Sequence, residues 1–259
     1  MFEPSDRSLE GKTALILGVA NQDSIAYGCA RAFKALGARL AITYQNDKSR
    51  RFVEPAAEAV EADIFMPCDV QQEGELEAVF AAIDQQWGRL DVALHSIAFA
   101  PKTDLHGRLV DSSAQGFSVA MDVSCHSFIR MAHLAESRMH DGGALIAMSY
   151  YGAEKVVHNY NFMGPVKAAL ESSVRYLAYE LGPKGIRVHA ISPGPVKTRA
   201  ASGLKHFDEL MASAAKRTPS GQLASIDDVG AATAFLTLNV ARLITGETIY
   251  VDGGYHIMG

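Results

Sequence analysis

The chain has 259 residues, of which 48% are hydrophobic and 20% charged, and its net charge is −5. This composition is ordinary for a globular protein with a substantial core and excludes a disordered or low-complexity chain. Because the basic residues are scattered and form no stripe, nucleic-acid binding is disfavoured. No linker-like tract or repeat interrupts the sequence, so we predict one domain over residues 1–259.

The first residues lack the basic and apolar regions of a secretory signal, and no segment has 18 uninterrupted apolar residues. We therefore expect a cytoplasmic protein without an integral membrane segment; loose association with a membrane stays compatible with this. Three cysteines, Cys29, Cys68 and Cys125, are widely separated and lack the spacing of metal ligands. We interpret them as small buried side chains and expect no metal site.

Short β-rich runs alternate with amphipathic stretches along the whole chain, which is typical of a parallel sheet covered by helices. The predicted strands are Thr13–Gly18, Arg39–Tyr44, Asp63–Pro67, Asp91–His95, Ala144–Ser149, Arg187–Ser192 and Thr248–Val251. Helical periodicity is present in Ile25–Leu36, Lys48–Val60, Gln72–Trp87, Gly116–Met139, Tyr160–Leu181 and Ser225–Leu238. Right-handed crossovers then predict a Rossmann-type α/β fold, with a doubly wound, seven-stranded parallel sheet and helices on both faces.

The loop after the first predicted strand has the character of a nucleotide-binding loop. Gly18 lets the backbone turn sharply, and Ser24 with the amides at the start of the next helix could hold a pyrophosphate. However, Ala20 and Ser24 occupy places where the G-x-G-x-x-G motif has glycine. The glycine pattern alone therefore does not separate a nucleotide loop from a plain strand–turn–helix.

Other strand ends agree with a nucleotide site. Asp69 follows the third strand, where a carboxylate can accept a hydrogen bond from an adenine amino group, and Ser96 follows the fourth, where small side chains and backbone can line a ribose. Gln45 follows the second strand and carries no charge. It neither clamps two ribose hydroxyls nor repels a 2′-phosphate, so charge alone leaves the choice of cofactor open.

Two alternative tyrosine–lysine pairs follow the fifth strand. Tyr151 and Lys155 form a Tyr-x3-Lys motif, but Tyr151 lies too close to the strand end at Ser149 to open the next helix. We interpret Tyr160 as the first residue of that helix and Lys167, seven residues later, as its partner. Seven helical residues return to within about 20° of the same face, roughly 10 Å along the axis. A lysine there could reach back towards a nicotinamide ribose beneath the tyrosine hydroxyl.

These motifs resemble the short-chain dehydrogenase/reductase superfamily and, within it, the FabI type of enoyl-acyl carrier protein reductase, along essentially the whole chain. The segments that carry the resemblance are Gly18–Ala20 with Ser24–Gly28, Thr43–Lys48, Cys68–Val70, His95–Pro101, Ser149 and Tyr150 with Gly152–Glu154, Asn159–Lys167 and Val251–Gly254. The resemblance implies reduction of the trans-2 double bond of an acyl chain on acyl carrier protein, in the elongation cycle of fatty acid biosynthesis.

The resemblance also implies roles for individual residues. The implied catalytic residues are Tyr150, Tyr160 and Lys167. Tyr160 would donate to the thioester enolate oxygen, Lys167 would hold the nicotinamide ribose, and Tyr150 would shape the substrate side and could assist polarisation. The implied cofactor contacts are Gly18, Ser24, Ile25, Gln45, Asp69, Val70, Ser96, Ile97, Lys167, Val196 and Thr198. The implied substrate contacts are Ala98, Tyr150, Tyr160, Leu204 and Phe207. The last two belong to a substrate-binding loop at about 197–215 that should order when a ligand binds.

The resemblance extends to cofactor choice and assembly. The neutral Gln45 is similar to that of NADH-using members, which favours NADH over NADPH. In this family the helices that contain Gly116–Met139 and Tyr160–Leu181 pack between subunits, so a homotetramer is expected.

The chain departs from the family pattern in places. Ala98 and Pro193 stand where many members have glycine and alanine, and Asp104–Ser113 matches only loosely, which leaves a paralogue with a shifted substrate open. Two other hypotheses stay open as well. One is another short-chain carbonyl reductase or dehydrogenase, acting on a 3-oxoacyl thioester or a small ketone, which the Tyr151 and Lys155 pair motivates. The other is a non-catalytic dinucleotide-sensing module, which the imperfect glycine pattern motivates.

Overall fold

The seven predicted strands form a single parallel sheet. The structure, a computed structural model, describes residues 8–105, 107–196, 198 and 207–258, with the backbone alone at residues 207, 208 and 210. The strands are β1 (Thr13–Leu17), β2 (Arg39–Tyr44), β3 (Ile64–Pro67), β4 (Val92–His95), β5 (Gly143–Met148), β6 (Ile186–Pro193) and β7 (Thr248–Val251). Their spatial order is β3-β2-β1-β4-β5-β6-β7, which confirms the doubly wound Rossmann-type sheet.

Helices connect the strands and cover both faces of the sheet. The α-helices are α1 (Ile25–Ala35), α2 (Asp47–Ala59), α3 (Glu75–Gln86), α4 (Lys102–Leu105), α5 (Ala114–Met121), α6 (Ser127–Glu136), α7 (Met163–Leu181), α8 (Phe207–Arg217) and α9 (Ile226–Thr237). Within the described part of the chain, no helix combines the length and the apolar character needed to cross a membrane.

Alternate residues of β1, an interior strand of the sheet, supply two separate cores. Leu15 and Leu17 of β1 pack with side chains of α3, α6 and α7, whereas Ala14 and Ile16 pack with those of α1, α2 and α9. This follows from the two-residue period of a strand whose faces are both covered. Cys29, Cys68 and Cys125 are buried in these cores, as predicted.

Local signals at the helix ends match the structure. Gly37, just past α1, has φ +94°, and α7 ends at Leu181, directly before Gly182 and Pro183. Ser225 caps α9, because its hydroxyl accepts from the Asp228 amide in a capping box.

Three predicted helices differ from the observed ones. The helix predicted from Gln72 begins at Glu75, because Gly74 is left-handed at φ +84°. The helix predicted over Gly116–Met139 is divided into α5 and α6 by a π-helical turn, Asp122–His126, and α6 ends at Glu136. The helix predicted from Tyr160 begins only at Met163, for a reason that concerns the functional site.

Two glycines allow α1 and α9 to approach closely. A Cβ atom on Gly28 would overlap the carbonyl group of Ile226, and a Cβ atom on Gly230 would overlap the carbonyl group of Gly28. Since backbone atoms cannot rotate away as a flexible side chain can, either methyl group would force the helices apart. This contact orients α1, whose first turn faces the carboxyl edge of the sheet.

We therefore expect Gly28→Ala to lower the free energy of unfolding by roughly 1–3 kcal/mol, as overpacked cores do. For a chain of this size, each kcal/mol lowers the melting temperature by roughly 2–4 °C, which differential scanning fluorimetry resolves. Gly107→Ala is the matched control, because a Cβ there meets its nearest neighbour at an ordinary 3.7 Å. Equal melting temperatures for the two variants would contradict the close approach.

Candidate active site

A cavity of about 580 Å³ opens where the carboxyl ends of the strands meet. This is the place and the size of a ligand site in open α/β sheets. The register brings the strand ends together, with Leu17 of β1 beside His95 of β4, and Met148 of β5 beside Ile191 of β6. The predicted site residues that line the cavity are Gly18, Ile25, Gln45, Asp69, Val70, Ser96, Ile97, Ala98, Tyr150, Tyr160, Lys167, Val196 and Thr198.

Three predicted site residues are not among the described residues that line the cavity. Ser24 does not line the cavity; it is buried, and its hydroxyl donates to the Asn21 carbonyl at 2.7 Å. The hydroxyl thus bonds within its own loop, and the role of Ser24 at a pyrophosphate stays a prediction. Leu204 lies outside the described residues, and Phe207 is described by its backbone alone.

Gly18 fixes how closely the β1 and β4 ends approach. It has φ +97°, and a Cβ atom there would overlap the carbonyl group of Ser96. Only glycine combines this dihedral angle with this proximity. At the start of the helix that follows, α1, the side chain of the N-cap residue Ser24 makes no capping hydrogen bond, and the first turn contains no acidic residue. The positive end of the helix dipole therefore faces the cavity beside Ile25.

The far end of the cavity carries Gln45 and Asp69. The Gln45 side-chain amide donates to one carboxylate oxygen of Asp69 at 3.0 Å. The other carboxylate oxygen of Asp69 accepts a hydrogen bond from the backbone N–H of Gln71. The backbone N–H of Asp69 donates to Glu75 at 2.6 Å. This end therefore presents carboxylate and carboxamide groups.

Tyr160 lies in a turn before α7. Asn159 and Asn161 on either side of it have φ values of +63° and +48°, in the left-handed region that a right-handed helix excludes. The Asn161 side-chain amide also donates to the Leu105 carbonyl, which ties this turn to the segment after β4. The prediction that Tyr160 opens the helix was wrong, and the shared helix face of Tyr160 and Lys167 does not apply. Asparagine on both sides of the tyrosine was the available signal, since asparagine tolerates this conformation.

Tyr150 and Tyr160 nevertheless form a close pair. Their ring centroids are 4.8 Å apart at an interplanar angle of 62°, an edge-to-face contact. Gly152 leaves room for this arrangement, because a Cβ atom there would overlap the Tyr160 ring. Burial raises the pKa of both hydroxyls, and the neighbouring Tyr150 adds to this upward shift at Tyr160. Both hydroxyls therefore keep their protons at neutral pH and can donate hydrogen bonds.

Lys167 is buried at the bottom of the cavity. It lies in the second turn of α7, and its Nζ donates to the Met148 carbonyl at the end of β5, at 2.6 Å. Burial lowers the pKa of Lys167 to about 8. The ammonium group thus lies within the same cavity as both tyrosines, although the reason is the strand contact and not a common helix face.

Tyr151 and Lys155, the alternative tyrosine–lysine pair, lie outside the cavity lining. Tyr151 lies in a 3₁₀ turn, Tyr151–Ala153, where its ring contacts that of Tyr255 at 5.5 Å, and Lys155 is exposed. Neither side chain lines the cavity.

Several residues that line the cavity were not predicted as site residues from the sequence. The unassigned lining residues are Val19, Ala20, Thr43, Ser49, Cys68, Gln71, Phe99, Leu105, Val123, Met148, Ser149, Met163, Pro193, Gly194 and Pro195. Most adjoin a predicted strand end, so the carboxyl-edge rule could have found them.

Val123 is an exception, because it comes from the π-turn. There the Ser124 hydroxyl donates to the Phe99 carbonyl at 3.1 Å and accepts from the Phe99 amide at 2.9 Å. Interruptions of this kind are frequent at functional sites but have no sequence signal of their own here.

The geometry combines an elongated cavity, an uncapped helix N-terminus, two protonated phenols and a buried lysine. An uncapped helix end suits an anionic group, and phenolic donors at an apolar site suit a developing oxyanion. The described residues contain no cluster of three or more His, Cys, Asp or Glu side chains that could hold a metal ion.

Comparison with known proteins agrees with this geometry. The family profile described as "Enoyl-(Acyl carrier protein) reductase" matches residues 18–256. An NADH-dependent enoyl-acyl carrier protein reductase FabI of Aquifex aeolicus is 48% identical over 255 residues, which covers 97% of this chain and 93% of that protein. The corresponding FabI of Escherichia coli is 44% identical and covers 96% and 95%, respectively.

Solved structures show the same likeness. The reductase of Anaplasma phagocytophilum, crystallised with NAD, superposes with a TM-score of 0.94 at 44% identity and covers 98% of this chain and 97% of that one. The Bacillus cereus reductase, crystallised with NADP+ and an indole naphthyridinone, has a TM-score of 0.94 at 43% identity over 97% and 98%. The chain therefore belongs to the enoyl-acyl carrier protein reductase family.

Proposed function

We propose that this protein catalyses the NADH-dependent reduction of trans-2-enoyl thioesters on acyl carrier protein, in the elongation cycle of fatty acid biosynthesis. The observation that carries the proposal is the Tyr150–Tyr160 pair, with ring centroids 4.8 Å apart, in the same cavity as the buried Lys167. Family membership supplies the class of substrate, and the geometry supplies the groups that its chemistry needs.

The cavity fits a dinucleotide. It runs from Gln45 and Asp69, beyond β2 and β3, past the Gly18 turn, to Lys167 and the tyrosines. The close approach at Gly18 and the uncapped start of α1 suit a pyrophosphate in the middle. Asp69 at the far end accepts donors, which suits an adenine amino group or ribose hydroxyls. A 2′-phosphate would meet that carboxylate, so NADH is favoured over NADPH.

When bound, NADH would supply a hydride to the β-carbon of the substrate. The electron pair of the double bond would then place negative charge on the thioester oxygen until the α-carbon takes a proton from solvent, and this chain's part is to stabilise that charge. Tyr160 is placed to do so, because its protonated hydroxyl lines the cavity in an apolar setting, where a hydrogen bond to an oxyanion is strong. Tyr150 fixes the orientation of the Tyr160 ring through their edge contact and shapes the substrate side.

Lys167 acts on the cofactor side in this proposal. Its ammonium group is held at the end of β5 by the Met148 carbonyl and can donate further hydrogen bonds to ribose hydroxyls. The lysine therefore contributes to binding and orientation, whereas Tyr160 contributes to the chemical step. The carbonyl-reductase alternative loses its motivating pair, since Tyr151 and Lys155 lie outside the cavity lining.

The decisive experiment follows NADH oxidation at 340 nm with 2-enoyl thioesters of several chain lengths, on acyl carrier protein and on coenzyme A. We expect turnover with NADH that exceeds turnover with NADPH. The matched control substrate is the 3-oxoacyl thioester of equal length. Reduction of the 3-oxoacyl thioester without reduction of the enoyl thioester would reject the proposal in favour of a carbonyl reductase, and NADH binding without any turnover would favour a sensing module.

Tyr160→Phe should lower kcat for enoyl reduction on the order of 10²–10³-fold, because the variant loses the donor to the developing oxyanion and keeps the ring. The KM for NADH should change little, which steady-state kinetics will show. Tyr151→Phe is the control, as this tyrosine lies outside the cavity lining. Undiminished turnover in Tyr160→Phe would remove this residue from the mechanism.

The affinity for NADH should depend on pH through Lys167. With a pKa of about 8, the lysine is protonated at pH 6–7 and loses its proton as the pH rises through about 8, so NADH binding should weaken in that direction. Fluorescence titration of NADH from pH 6 to pH 9.5 measures this. Lys167→Met should bind NADH weakly at every pH and show no such dependence, whereas the exposed-site control Lys155→Met should titrate as the parent does. A pH-independent affinity in the parent would refute the assignment.

We also propose that the protein is a homotetramer in which α7 contributes to a subunit interface. Tyr176 and Tyr179 of α7 are 70% and 84% exposed in the single chain and lie three residues apart on one side of the helix. Large exposed aromatic groups of this kind are characteristic of interfaces.

Replacing both residues, Tyr176→Glu with Tyr179→Glu, should therefore shift the protein to a smaller species, because the interface would have to bury two carboxylates. Size-exclusion chromatography with light scattering gives the mass directly. Phe52→Glu, which changes a partly exposed aromatic residue on α2, is the control and should leave the mass unchanged. A double variant of unaltered mass would argue against an interface on α7.

A further inference from the structure

Two residues of α7, one turn apart, hold the end of β5. Lys167 donates to the Met148 carbonyl at 2.6 Å, and Glu171, four residues later, accepts a hydrogen bond from the Ser149 hydroxyl. Residues at this spacing lie on the same helix face, so α7 presents a cation and a carboxyl to consecutive residues of the strand end. The lysine belongs to the site already described, but the glutamate does not.

Glu171 is buried without reaching the cavity. Its exposed fraction is 6%, and it is not a lining residue, whereas Ser149 is. Burial raises the pKa of the Glu171 carboxyl, although the bond from Ser149 opposes this shift. A buried carboxyl destabilises a fold unless hydrogen bonds compensate, and the Ser149 hydroxyl provides one. Glu171 can therefore influence the reaction in two ways, through its charge, which raises the pKa of Lys167 and of Tyr160, and through the residue that it holds.

What Glu171 holds is the residue before Tyr150. The Ser149 backbone N–H donates to the Ile191 carbonyl of β6 at 2.7 Å, so Ser149 is fixed through both its backbone and its side chain. Tyr150 then leaves the strand in an extended conformation, with φ −160° and ψ 149°, and its ring meets the edge of Tyr160. The direction in which the backbone leaves β5 therefore determines the position of the Tyr150 ring.

We propose that Glu171 is a positioning residue for the reaction: by accepting the Ser149 hydrogen bond, it fixes the backbone from which Tyr150 projects and thereby the Tyr150–Tyr160 contact. This inference rests on the proposed function, since enoyl reduction is the activity that the contact serves. Displacing a catalytic group by about 1 Å can lower the rate on the order of 10²-fold, so a remote bond of this kind has a measurable effect.

The test is a double-mutant cycle of Ser149→Ala and Glu171→Ala, with Glu171→Gln as the conservative variant and the exposed Glu180→Ala of the same helix as the control. We expect each alanine variant to lower kcat by about 10–100-fold while the KM for NADH stays near that of the parent. The double variant should be no slower than the slower single variant, because one shared bond is lost. Glu171→Gln should recover most of the lost turnover, since its amide oxygen also accepts from Ser149.

Several results would overturn the proposal. Additive losses in the cycle would mean that the two residues act separately, and a Glu171→Gln variant as slow as Glu171→Ala would mean that the carboxyl charge or proton matters and not the bond. If Glu171→Ala does not fold, Ser149→Ala and Glu171→Gln decide alone. Glu171→Gln keeps the bond and should melt near the parent temperature, whereas Ser149→Ala leaves the buried carboxyl without its donor and should fold with a lower melting temperature.

A parent enzyme without enoyl reduction would count against the proposed function and not against the positioning. In that case, crystal structures of the variants test the positioning of Tyr150 independently of activity. Tyr150 should be displaced in Ser149→Ala and retained in Glu171→Gln. An unmoved Tyr150 in Ser149→Ala would overturn the inference.

Discussion

The hydrogen bond from Lys167 to the Met148 carbonyl joins the two elements on which the site is built. It runs from the second turn of α7 to the last residue of β5, and it lies in a cavity where an unpaired ammonium group would be costly. Because β5 pairs with β4 and β6 on its two sides, fixing its end also fixes the neighbouring strand ends that line the cavity. The depressed pKa of Lys167 is a consequence of the same burial.

Around this contact, the tyrosine pair depends on unusual backbone. Tyr160 lies between two asparagines in the left-handed region, and Gly152 leaves the space that its ring occupies. Such conformations have a free-energy cost and persist where the surrounding structure determines them, here through the Asn161 bond to Leu105 and the contact with Tyr150. The end of the cavity that contains the two tyrosines is thus held by bonds that reach β5, α7 and the segment after β4.

The end of the cavity near Gly18 has a geometry that follows from general features of the fold. The turn at Gly18, the uncapped start of α1 and the polar residues past β2 and β3 follow from how parallel strands and helices meet at the carboxyl edge. Between the two ends, Ser124 of the π-turn holds Phe99 through both backbone groups and so shapes the wall that contains Ala98. General architecture therefore places the end of the cavity at Gly18 and α1, whereas particular side-chain bonds shape the end that contains the two tyrosines.

The sequence by itself determined the seven strands, their helices and most of the cavity, because two-residue and 3.6-residue periods and the carboxyl-edge rule are local or topological. The distance from the predicted strand end also favoured Tyr160 and Lys167 over Tyr151 and Lys155, and the family motifs added Tyr150. Only the tertiary structure decided how these residues meet: Tyr160 precedes α7 instead of lying on it, Ser24 turns into its own loop, and Glu171 joins the site through Ser149. The Tyr160 turn and the Glu171 bond depend on contacts between residues distant in the chain, and the Ser24 bond to Asn21, although local, follows no helix or strand period. Sequence periodicity therefore predicts none of the three.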